Sequence, residues 1–163
     1  MIVPILSIGT RRDMLRATSA IDHYERGLAL EATDVAAAMA AYGRAIAGRP
    51  DLADAYNNLG RLHHDRDALG DAESLYRLAI CAGESVALYW FNLGVVLEDR
   101  GRFAEAIAAY EQALARDAAL ADAHFNLARL LERAAGANEL VLRRAVRHLA
   151  RYRALARHQP IFR

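Results

Sequence analysis

The chain contains no lysine, so each of its 21 basic side chains is an arginine. In a sequence this rich in alanine, that points to compositional bias rather than to chemistry. A single cysteine, Cys81, excludes an intramolecular disulfide framework and a cysteine metal cluster, and it fits a reduced, cytoplasmic location. Cys81 lies in a helical stretch with no histidine partner, which argues for an inert thiol rather than a nucleophile. Charge of neither sign is in excess. The formal net charge of +1 argues against whole-molecule attraction to nucleic acid or membrane, although it leaves room for local patches. Long apolar runs are also missing. The opening MIVPILSIG is too short to span a bilayer, has no positive region before it, and meets Arg11 and Arg12 at once, so it makes a poor signal peptide. Pro4 and Gly9 argue against a regular helix there. Residues 1–13 therefore read as an N-terminal arm, free to pack on the first folded segment, to mediate homo-oligomer formation, or to be the remnant of an upstream domain.

Signatures of catalysis are equally scarce. There is no phosphate-binding glycine loop, nucleophile elbow or zinc-peptidase motif. His63 and His64 beside Asp65 and Asp67 invite a metal reading, but neighbours on a helix point about 100° apart, whereas helical metal pairs sit three or four residues apart. His63 also falls at a core position, in register with Leu97 and Leu131. No enzyme, cofactor or metal site is expected.

What is present is a period. The stretch from Ala87 to Leu120, ALYWFNLGVVLEDRGRFAEAIAAYEQALARDAAL, places Trp90, Leu93, Gly94 and Leu97 at helical spacing, then Ala106, Ile107, Tyr110, Ala113 and Leu114, with Gly101 between. Two helices this short bury too little apolar surface to offset their ordering entropy, so they need neighbours of the same kind. A register of 34 residues supplies them: Leu59, Leu93 and Leu127, then Gly60, Gly94 and Ala128, then Tyr56, Trp90 and His124. In the second helices it links Ala38, Ala72 and Ala106, then Tyr42, Tyr76 and Tyr110, then Ala45, Ala79 and Ala113. Small residues at fixed points let helices approach closely, and aromatic rings fill the space between hairpins.

This order of large and small residues resembles the tetratricopeptide repeat over roughly residues 20–158. The resemblance implies an all-α fold, a right-handed superhelical solenoid of antiparallel helix pairs. One domain over 14–158 is expected, with repeats at 19–52, 53–86, 87–120 and 121–158 and a short tail at 159–163. The first repeat has its inter-helix turn shortened by one residue, and Arg26 stands where later repeats have leucine, as suits an end repeat. Pro50 stops its second helix. The fourth repeat carries about five extra residues around Gly136 to Glu139, so that Ala145 and Leu149 take the parts of Ala106 and Tyr110. Its last helix has one apolar stripe, Val141, Ala145, Leu149, Tyr152 and Ala156, as a capping helix would.

In the family it resembles, first helices line the concave surface. Asn58, Asn92 and Asn126 recur there at intervals of 34, and asparagine is a mediocre helix former. An amide both donates and accepts, so it can hold the backbone of an extended peptide whatever its sequence. Arg61, Val95 and Arg129 share a second line, and Asn57, Phe91 and Phe125 a third, suiting a segment with carboxylates and an apolar anchor. The family's dicarboxylate clamp also needs lysine, and Glu25 replaces asparagine in the first repeat, so chaperone-tail binding is not expected. The chain thus reads as a non-catalytic scaffold or adaptor that binds another protein. Two rivals remain. One is a client-holding chaperone of the secretion type. The other is the interaction half of a bacterial regulator, touching nucleic acid through a basic patch of Arg143, Arg144, Arg147 and Arg151 on the last helix, which by sequence faces only Glu139.

Overall fold

The structure, a computed structural model, describes residues 11–157. The expectations for residues 1–10 and 158–163 therefore lie outside the described residues. Eight helices follow one another: α1 (Arg11–Leu30), α2 (Val35–Gly48), α3 (Ala53–His64), α4 (Leu69–Ala82), α5 (Ala87–Asp99), α6 (Phe103–Arg116), α7 (Ala121–Ala135) and α8 (Glu139–Ala156). They pair as antiparallel hairpins, each of which packs on the next through the second helix of one and the first helix of its successor. The first helix starts at Arg11, inside the stretch read as an arm. None of the described helices is long and apolar enough to cross a membrane.

The 34-residue register is the buried register. Ala38, Ala72 and Ala106 are fully buried, as are Ala45, Ala79 and Ala113, and Tyr42, Tyr76 and Tyr110 fill the space between them. Each ring lies flat against a glycine of the preceding helix. A methyl group built on Gly27 would fall 2.5 Å from the Tyr42 ring, on Gly94 2.6 Å from Tyr110, and on Gly60 3.0 Å from Tyr76. The glycines are thus required by close approach of helix to ring. The Gly27–Tyr42 spacing is one residue shorter than the other two, which locates the shortened turn. In the fourth hairpin the complementarity is redistributed, with Ala128 facing the side where half-buried Leu149 replaces tyrosine. Arg26 is exposed, as an end position allows, whereas His63 is only half-buried beside Asp71 and Leu62 takes the core place. An imidazole keeps its polar edge toward water unless a buried partner is offered.

The helix ends follow local chemistry. Asp34 caps α2 by accepting from the Ala37 N–H, and Asn138 caps α8 by accepting from Leu140 and Val141. Gly101 turns the third hairpin at φ +73°, while Asp67 takes the equivalent left-handed position of the second at φ +59°. Where Pro50 stiffens the first inter-hairpin turn, the second is held otherwise: the Glu84 carbonyl accepts from Trp90 Nε1 at 3.2 Å and from Arg116 Nε at 2.6 Å. Arg116 also lies over the Trp90 ring at 4.6 Å. Buried Glu73 accepts from Arg77 of its own helix and ties α4 to the α5–α6 turn of the next hairpin by accepting from Arg100 and Arg102. Burial alone would raise its pKa, but the surrounding guanidinium groups outweigh it and hold the carboxyl below its ordinary value.

The apolar interior is in two parts. One cluster runs from Ala72 through α5, α6 and α7 to Ala145, and a smaller one joins Ala38, Tyr42 and Ala45 to Ala55 and Leu62. The last hairpin adds a histidine pair, His124 Nδ1 and His148 Nδ1 lying 2.9 Å apart. His124 Nε2 lies 3.2 Å from the Ala118 carbonyl and so carries the proton, which leaves its Nδ1 as the acceptor and His148 Nδ1 as the donor. Burial, with help from His124 and Arg144, depresses the His148 pKa.

Three outcomes follow from this packing. Gly94→Ala should destabilise the fold by about 1 to 3 kcal/mol in urea denaturation, because the ring it would strike is fully buried, whereas Asp67→Gly should stabilise it by roughly 0.5 to 1 kcal/mol by relieving left-handed backbone. For His148, a folded pKa below the unfolded value means that the unfolded chain binds more protons. Stability should then fall as the pH drops below about 6.5, and urea midpoints taken at about pH 7.5 and pH 5.5 should converge in His148→Gln.

Candidate functional site

The first helices α3, α5 and α7 carry the residues singled out in the sequence, and the structure joins them across successive hairpins. Asn58 Nδ2 donates to the Tyr24 hydroxyl at 3.3 Å, Asn92 Nδ2 to Asn57 Oδ1 at 2.8 Å, and Asn126 Nδ2 to the Tyr110 hydroxyl at 3.3 Å. All three asparagines are half-buried on the wall shared by neighbouring hairpins. The expectation for Asn57 needs correcting. It is buried, donates to Asn58 Oδ1 at 3.2 Å and accepts from Asn92, so it links α3 to α5 and has no side-chain surface to offer. Its amide is drawn inward because a buried amide must find partners, and the neighbouring asparagines are those within reach.

The arginines of the second line are also less free than their exposure suggests. Arg61 pairs with Glu31, which in turn accepts from the Tyr42 hydroxyl at 2.6 Å. Arg129 pairs with Glu98, which accepts from the Tyr110 hydroxyl at 3.2 Å. Tyrosine, glutamate and arginine thus form a relay from a second helix, through the end of its first helix, to the next hairpin. Burial and the neighbouring carboxylate both push the tyrosine pKa values upward. At the middle junction the relay is absent as a unit. Val95 stands in the arginine position and His64 in the glutamate position, so no charge is left behind, and His64 Nε2 meets Asp99 Oδ2 at 2.6 Å instead. The sequence reading missed this relay, although Glu31 and Glu98 nearly share the register of the arginines they hold.

Aromatic groups complete the wall. Phe91 packs on Tyr110 with ring centroids 5.7 Å apart, and Phe125 on Tyr152 at 5.1 Å. Phe91 and Val95 are half-buried and Phe125 remains exposed.

The basic stripe of α8 is partly answered from within. Arg143 bonds Glu139 at 2.7 Å, and Arg144 pairs with Glu111 of α6, which corrects the expectation that these arginines face Glu139 alone. The spacing of 33 residues between Glu111 and Arg144 follows from hairpin stacking and is invisible to a reading of α8 by itself. Arg147 and Arg151 are exposed and join no ion pair among the described residues. Cys81 is exposed. No group of three histidine, cysteine, aspartate or glutamate side chains placed to hold a metal occurs among the described residues.

Comparison with known proteins agrees with this architecture. Residues 27–87 match one tetratricopeptide repeat family model and residues 87–119 a second. No match was found among curated proteins. Among solved structures, a crystal structure of MamA superposes with a TM-score of 0.75 at 18% identity, covering 90% of this chain and 84% of that one. The first such domain of Spaghetti (RPAP3), bound to the HSP90 peptide SRMEEVD, gives 0.70 at 18% identity, covering 73% and 95%. The corresponding domain of Arabidopsis OM64 gives 0.69 at 20% identity, covering 72% and 98%. At these identities the likeness is one of fold.

Proposed function

Because the chain belongs to the tetratricopeptide repeat family, we propose that it is a non-catalytic protein–protein interaction module that holds an extended segment of a partner along its first helices. The observation that carries this reading is the state of Asn92 and Asn126. Each spends one N–H on an internal partner, and each keeps a side-chain carbonyl oxygen with no partner among the described residues. Fixed at one end and unsatisfied at the other, such an amide is pre-organised to accept from a peptide backbone and, through its second N–H, to donate to it. Asn58 is more fully used, since it also accepts from Asn57.

The relay modifies the chemistry expected of the segment. With Arg61 and Arg129 neutralised by Glu31 and Glu98, the wall offers little unbalanced positive charge, so an acidic tail is not what it selects. Val95, Phe91 and Phe125 favour an apolar side chain between backbone contacts. The RPAP3 domain bound to its peptide supports the general mode, a short segment held on this fold. A client-holding chaperone would use the same wall. The nucleic-acid reading is weakened by the two ion pairs that occupy Arg143 and Arg144.

Asn92→Ala combined with Asn126→Ala should weaken binding of a partner captured from native lysate by about 1 to 3 kcal/mol in calorimetry, with far-ultraviolet circular dichroism unchanged. Unchanged affinity would remove the asparagines from the site.

A further inference from the structure

The fourth hairpin ends the stack with a surface that every earlier hairpin has covered. In the third hairpin, Phe103, Ile107 and Tyr110 of α6 lie beneath α7, sharing a core cluster with Leu127 and Leu130, and the Arg133 guanidinium sits 4.1 Å above the Phe103 ring. Thirty-nine residues later α8 repeats that line as Leu142, Val146 and Leu149, while α7 repeats Phe91 as Phe125. Here no described residue plays the part of α7. Phe125 is 42% exposed, Leu142 36% and Val146 65%. With Ala128, Ala145 and Leu149 they line an open apolar cavity of about 360 Å³.

We propose that this end face is a second docking surface, and that its occupant is an amphipathic helix of another protein, acidic along its flank, seated as α7 is seated on α5 and α6. Two observations carry the assignment. The first is continuity, because the hairpin-to-hairpin interface built three times within the chain specifies a helix with apolar residues at i, i+3 and i+4. The second is charge. Arg147 lines an adjoining hollow with Glu139, Leu140 and Arg143, which shares Leu142 and Val146 with the first, and it joins no ion pair among the described residues; Arg151 lies further along the same helix. A second copy is disfavoured, since a two-fold contact would bring two arginine rows together. Residues 158–163, HQPIFR, carry no acid to answer those arginines.

The probe is a fluorescein-labelled peptide with the α7 sequence Ala121–Ala135 in which Arg129→Glu and Arg133→Glu supply the acidic flank. It should bind the full chain saturably in fluorescence anisotropy, at least about tenfold more tightly than the same peptide with both arginines kept. Val146→Glu and, separately, Leu142→Glu should each weaken it by about tenfold or more. Both positions are exposed, and thermal melts should confirm that the variants fold. Asn92→Ala with Asn126→Ala should leave the probe's affinity unchanged, which separates this surface from the first-helix wall. No binding, or equal binding by Val146→Glu, overturns the proposal. A dimer in sedimentation that Val146→Glu abolishes would give the face to a second copy, and about tenfold tighter probe binding on deleting residues 158–163 would give it to the tail. Either result also overturns it.

Discussion

The contact between a glycine of one helix and the ring of a tyrosine on the next sets the helix spacing of the first three hairpins. At three hairpins the ring occupies the space a side chain would need, so the two helices can be neither nearer nor farther without clash or void. Everything built on the first helices inherits that spacing. The hydroxyl at the far end of the same ring then reaches a polar partner, Glu31 for Tyr42 and Glu98 for Tyr110. One side chain thus fixes an apolar distance at its face and a polar direction at its tip.

That dual use explains why the first-helix wall is orderly. Each hydroxyl positions a glutamate, each glutamate positions an arginine of the next hairpin, and Asn126 is positioned by the hydroxyl itself. The middle junction, where Val95 and His64 replace the charged pair, shows the relay being dropped as a whole rather than broken. A lone glutamate at a relay position, 24% or 13% exposed, would lose the cation that answers it, whereas its arginine partner, 41% or 54% exposed, stays solvated. The consequence is a wall with polar positions at both ends and an apolar step between them.

Much of the fold was legible because burial and period coincide. Alanine, glycine and tyrosine recur at the same spacing, and all nine second-helix positions of that register lie in the core. The shortened first turn and the extra residues before α8 were legible too, since a slip of register shows by subtraction. What sequence alone did not reveal was direction. Asn57 and Asn58 are adjacent and chemically identical, yet one is buried as a link and the other half-open, because roughly 100° of helical rotation separates them. His63 followed the register but not the core, as its ring requires water or a partner. The pairing of Arg144 with Glu111 depends on the stacking of two hairpins, and no local pattern encodes it.

The division of the interior into two clusters has a mechanical meaning. The smaller joins the first hairpin to α3, and the larger begins at α4 but also takes in Ala53 and Tyr56 of α3, so the two meet on α3 itself. In a chain connected only to its nearest neighbours, coupling between the two must therefore run through α3, which the Gly60–Tyr76 contact holds against α4. Asn57 and Asn92 add a polar clasp from α3 to α5 across that meeting point.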